Sequence, residues 1–101
     1  DIEDIPEKGI ELNASDIHLE PMETSLRIRI ALSGYLKVLT HFPKTISARM
    51  VNAIKAACGM DISSRRVPDD GRFTIKYNNV KYSLRVSTYP CIYGENCVIR
   101  I

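Results

Sequence analysis

Arginines 72, 85 and 100 carry the most specific chemistry in this 101-residue sequence. A guanidinium is planar and permanently charged. It can give two parallel hydrogen bonds to one phosphate, which the point charge of lysine cannot. The patterning around the three brings them together. Residues 72 to 77 and 80 to 89 alternate polar and apolar, the period of a half-buried strand. Asn78-Asn79 between them suits a two-residue turn, because Asn tolerates the positive φ such turns need. That turn sets Tyr77 opposite Val80, Phe73 opposite Leu84 and Arg72 opposite Arg85. A second bend over Pro90 to Glu95, centred between Ile92 and Tyr93, sets Ser87 opposite Val98 and Arg85 opposite Arg100. The three guanidiniums then form a row across neighbouring strands, on the face away from Phe73, Leu84 and Val86.

Like charges directly opposite one another destabilise a sheet. An anion that neutralises them is the simplest reason for such a row. Two other readings stay open: Asp69, Asp70 or Glu95 screens the row, or the register slips by one residue and sends Arg100 to the other face.

A second set of candidates is Asp16, His18 and Glu20, the outward positions of a strand whose Ile17 and Leu19 face the core. Carboxylate and imidazole on alternate strand positions could meet one ion, but no fourth ligand is in sight. A solvated or hydrogen-bonded strand face accounts for the three, and no metal site is expected. Cys58, Cys91 and Cys97 have no metal-like spacing. A Cys91–Cys97 bridge is geometrically possible across the second hairpin; reduced thiols are the expectation in a cytoplasmic protein.

The elements that must position these residues follow from period and punctuation. Residues 1–13 read as a boundary segment, with a short helix around Glu7 to Leu12 limited by Pro6 and Gly9. Residues 14–101 read as one domain. Its strands lie near 16–20, 26–30, 35–40, 72–77, 80–89 and 96–101 in an antiparallel sheet, the first three as a meander. Between them, Ile46, Met50, Ile54 and Ala57 recur at three and four residues and give one amphipathic helix over 43–58. Pro43 or Thr45 opens it and Gly59 closes it. Lys44, Arg49 and Lys55 lie off that stripe, which reads as a solvated face. The polar loop Met60 to Gly71, dense in paired Arg and Asp, leads directly into Arg72.

Composition sets wider bounds. Hydrophobic content of 45% and charged content of 26% suit one small globular domain. No apolar run approaches membrane-spanning length. The net charge of +2 is too small to imply nucleic acid, yet five of the eight arginines lie between Arg65 and Arg100.

Several stretches in order resemble a known family. They are Ala14-Ser15-Asp16-Ile17-His18-Leu19-Glu20-Pro21, Arg27-Ile28-Arg29, Asp61-Ile62-Ser63-Ser64-Arg65-Arg66-Val67-Pro68-Asp69-Asp70-Gly71-Arg72, Leu84-Arg85-Val86-Ser87-Thr88, Tyr93-Gly94-Glu95 and Val98-Ile99-Arg100-Ile101. They look like the domain preceding the motor core of the ATPases that power type II secretion and type IV pilus assembly. The resemblance implies an α+β, PAS-like domain joined to a RecA-like ATPase domain. It further implies a cytoplasmic homohexamer, peripheral to the inner membrane through a platform protein. The implied cofactors are ATP and Mg2+ in the parent chain, with none bound by these 101 residues alone. In the family, arginines of this domain contact the terminal phosphate of bound nucleotide. Arg85 and Arg100 match those positions, Arg72 matches the Asp-Gly-Arg motif, and Arg27 and Arg29 are carried over as nucleotide-proximal.

The chain also departs from the pattern. Where family members usually read Arg-Ile-Asp-Gly, Ala31 and Ser33 replace the arginine and the aspartate. Neither a phosphate-binding Gly-x-x-x-x-Gly-Lys-Ser/Thr loop nor a strand-borne acidic pair for Mg2+ is present, so these residues alone are expected to hydrolyse nothing. Two other functions fit the same row: a stand-alone sensor of an anion or nucleotide, and a structural adaptor between subunits.

Overall fold

In the computed structural model, residues 4–63 and 67–101 are described. Ser64, Arg65 and Arg66, part of the polar loop Met60 to Gly71, lie outside the described residues. The fold is α+β. Helix α1 (Asp4–Glu11) leads into strands β1 (Asp16–Pro21), β2 (Ser25–Leu32) and β3 (Tyr35–Pro43). A 3-10 turn (Lys44–Ile46) and helix α2 (Ser47–Ala57) follow, then strands β4 (Asp69–Tyr77), β5 (Val80–Cys91) and β6 (Gly94–Arg100). The six strands form one sheet in the order β3-β2-β1-β6-β5-β4. Two antiparallel meanders are therefore joined at the sheet centre, where β1 pairs antiparallel with β6.

Turn chemistry sets the register. Asn78 and Asn79 have φ of 50° and 64°, the left-handed pair that a tight hairpin requires. Tyr77 then faces Val80, Phe73 faces Leu84 and Arg72 faces Arg85. The second hairpin turns at Ile92–Tyr93, with Cys91 opposite Gly94, Ser87 opposite Val98 and Arg85 opposite Arg100. Both expected registers hold.

One face of the sheet is dry. Ile17, Leu19, Leu26, Ile28, Ile30, Leu84, Val86, Cys97 and Ile99 are buried there, together with Met50, Val51 and Ile54 of α2 and Ile5 of α1. Phe73 is half-buried and packs against this core. Helix α1 begins three residues before the expected start, because Pro6 in its first turn sacrifices no intrahelical hydrogen bond. Gly9 lets it lie close on the sheet: a Cβ there would stand 2.5 Å from Ile17 Cδ1.

Three expectations need correction. Ala57 is exposed, and the buried stripe of α2 runs through Ser47, Met50, Val51, Ile54 and Lys55. Lys55 is not on a solvated face: its side chain is 1% exposed, and its Nζ lies 3.0 Å from Glu95 Oε2 on β6. Lys44 is also engaged, donating to the carbonyls of Met22 and Tyr93, both at 2.6 Å, with its ammonium over the Tyr93 ring. Gly59, with φ of 73°, closes the helix as expected.

Candidate anion-binding site

The opposite face of the sheet carries the arginines. Arg72 on β4, Arg85 on β5 and Arg100 on β6 stand side by side in one row at right angles to the strands. Neighbouring strands lie about 4.8 Å apart, so the outer two sit roughly 10 Å from each other at the backbone. That spacing spans a phosphate chain. All three side chains are exposed. They line a concave basin of about 620 Å³ with Gly71, Val86, Ser87, Val98, Asp16 and Asp70. Gly71 is confined from the other side: a Cβ there would lie 2.9 Å from both Cys58 Cβ and Met60 Cε.

The acidic neighbours do not cancel the row. Glu95 alternates with Cys97 and Ile99 onto the dry face, where it meets Lys55, so it screens none of the arginines. Asp69 accepts the backbone N–H of Asp70 at 2.8 Å, and Asp70 accepts the Ser87 hydroxyl at 2.9 Å. The carboxylate that does reach the row is Asp16, whose Oδ1 accepts from Arg100 Nε at 3.1 Å. Sequence reasoning missed this contact because the partners are 84 residues apart and the β1–β6 pairing was not expected. Among the described residues, no carboxylate is paired with Arg72 or Arg85.

Arg27 and Arg29 share the polar face but are not brought to the basin. They lie on β2, beyond β1, and both are held by Glu20. Arg29 takes the carboxylate side-on, Nε to Oε1 at 2.7 Å and Nη2 to Oε2 at 2.8 Å, and Arg27 Nε adds 3.1 Å to Oε1. Burial pushes the Glu20 carboxyl up, but the hydrogen bonds and charges of Arg29 and Arg27 outweigh it and hold the group below its usual value. Asp16 and Glu20 are therefore each engaged by arginine. Among the described residues, no group of three His, Cys, Asp or Glu is arranged to hold a metal ion.

Cys91 and Cys97 cannot bridge, since they point to opposite faces. Cys91 Sγ lies 3.0 Å from both the Gly94 carbonyl oxygen and Asn96 Oδ1, which share its single S–H, while Cys97 lies in the core. Burial pushes the Cys97 thiol up to about 12.

A family model described as "Type II/IV secretion system protein" matches residues 1–101. The chain is 39% identical over 94 residues to the type IV pilus assembly ATPase PilB of Acinetobacter baylyi, covering 92% of the chain and 16% of that protein. It is 38% identical over 93 residues to the type II secretion system protein E of Xanthomonas campestris pv. campestris, again covering 92% and 16%. The chain thus spans less than a fifth of the length of these relatives. Its fold resembles that in a crystal structure of the pilus retraction motor PilT with bound ADP, with a TM-score of 0.60 at 15% identity, over 97% of this chain and 28% of that one. Among the described residues, no helix is long and apolar enough to cross a membrane.

Proposed function

The chain belongs to the type II/IV secretion system protein family, and we propose that it is the arginine-donating domain of a hexameric ATPase driving protein secretion or pilus assembly. One observation carries this reading. Arg72, Arg85 and Arg100 form an exposed row lining a basin, and the first two have no carboxylate partner among the described residues. Unneutralised like charges at this spacing repel one another. A phosphate group placed over them would relieve that repulsion and receive several charge-assisted hydrogen bonds.

In this role Arg85 and Arg100 meet the terminal phosphate of ATP held by a separate nucleotide-binding domain, and Arg72 supports them. Their charge stabilises the negative charge that builds on the outer phosphate oxygens during transfer. Mg2+ would come with the nucleotide. Among the described residues, the carboxylates lining the basin are Asp16, which holds Arg100, and Asp70, which accepts from Ser87. The partners that fit are the ATPase domain of the same protein, neighbouring subunits of a homohexamer and an inner-membrane platform protein, with the assembly on the cytoplasmic side.

The test is a steady-state comparison in the protein carrying this chain together with the family's ATPase domain. Arg85→Ala and Arg100→Ala should each lower kcat about 10³-fold or more while KM for ATP changes little, because an arginine of this kind acts in the transition state. A raised KM with unchanged kcat would instead mark a binding module.

A further inference from the structure

Asp16 stands in the same cross-sheet row as the three arginines. Ala31 flanks it on β2 and Arg100 on β6, followed by Arg85 and Arg72. The carboxylate is largely buried and its partner is not: the side chains are 17% and 73% exposed. Both oxygens of Asp16 are engaged. Oδ2 accepts from the Ser15 hydroxyl at 2.9 Å and Oδ1 from Arg100 Nε at 3.1 Å. Ala31 brings no charge to the other flank.

Arg29 is held differently. There both oxygens of Glu20 take the guanidinium side-on, through Nε and Nη2, and commit it. At Arg100 the second carboxylate oxygen is turned to Ser15, so one oxygen holds one nitrogen. The Nη pair, which supplies four of the five N–H donors, is left for another acceptor. A decoy that an incoming anion must displace would take the guanidinium as Glu20 takes Arg29. A hold through Nε alone orients the group instead.

We propose that Asp16 is a positioning residue, which fixes Arg100 by its Nε and presents its Nη edge to a phosphate in the basin. This rests on the arginine-donating role above. A long exposed side chain forfeits conformational freedom when it is immobilised on a ligand, and an anchor already in place removes part of that loss. Asp16 therefore acts through Arg100 on the rate of phosphoryl transfer. It has little effect on ATP held elsewhere.

The experiment is a double-mutant cycle on ATP turnover in the protein carrying this chain and its ATPase domain, each rate normalised to folded protein by circular dichroism. Asp16→Ala should lower kcat about two- to tenfold with KM for ATP unchanged. Asp16→Asn, which keeps an acceptor oxygen, should recover part of the loss. In the Arg100→Ala background, Asp16→Ala should have no further effect. A faster Asp16→Ala enzyme would show a decoy and overturn the proposal. So would a full, additive loss in the Arg100→Ala background, although the role of the arginines would then stand. An Arg100→Ala enzyme with wild-type turnover would instead remove that role, and the positioning with it. Should Asp16→Ala not fold, the cycle with Asp16→Asn gives the same decision.

Discussion

Replacing Lys55 with methionine should unfold this domain far more readily than any other lysine or arginine substitution on α2. The side chain is 1% exposed and its ammonium sits 3.0 and 3.1 Å from the two oxygens of Glu95, itself 8% exposed. Methionine keeps most of the volume and removes the charge. The Glu95 carboxylate is then left buried against a thioether, and breaking a buried pair from one side costs about 3–5 kcal/mol. A domain of this size loses about 4–8 °C of Tm per kcal/mol, so Tm should fall by at least about 12 °C. The double variant Lys55→Met/Glu95→Leu removes both charges of this pair. It should return to within about 1 kcal/mol of the parent or exceed it. Arg49→Met, on the exposed face of the same helix, should stay within about 0.5 kcal/mol. Thermal melts and urea midpoints followed by circular dichroism measure all three. If Lys55→Met costs under about 1 kcal/mol, or the double variant is as unstable as the single, the pair is not the buried tie described here.

Two further outcomes follow from the packing. Leu84→Ala, at a fully buried position on β5, should cost about 2–5 kcal/mol in urea denaturation; a near-neutral result would place the core on the wrong face. Glu20→Gln should be less stable than the parent at about pH 7, and the gap should close in acid. The Glu20 carboxyl is held below its ordinary value of 4.5 in the fold, so its contribution is present above that value and is lost as pH falls through the lowered one. A stability difference that does not change with pH would remove the ion pair as its cause.

How much of this was legible in the sequence depends on range. Asn78-Asn79 and the bend at Ile92–Tyr93 fix two hairpins locally, so the row of Arg72, Arg85 and Arg100 could be read from period and turn chemistry alone. Contacts between the two meanders could not. Asp16 meets Arg100 across 84 residues, through a β1–β6 pairing that no local pattern announces. Lys55 meets Glu95 across 40, and a lysine flanking an apolar stripe reads as solvated until a buried carboxylate faces it. One signal was available: Glu95 shares the parity of Cys97 and Ile99, which places it on the dry face and calls for a buried cation. In the sequence α1 reads as part of a boundary segment, because Pro6 and Gly9 disfavour long helices. Here Pro6 lies in the first turn and Gly9 serves a close approach to Ile17.

Exposed arginines that serve an anion rather than the fold should be dispensable for stability, and Arg85→Ala separates the two roles. Arg85 is flanked by Arg72 and Arg100, with no carboxylate partner among the described residues. Removing it from the 101-residue chain should leave Tm unchanged or slightly raised, because repulsion within the row is relieved. The same change in the ATPase-bearing protein should lower kcat about 10³-fold or more with ATP affinity nearly intact. A Tm that drops by several degrees, with activity lost only in proportion to folded protein, would make Arg85 a structural residue instead.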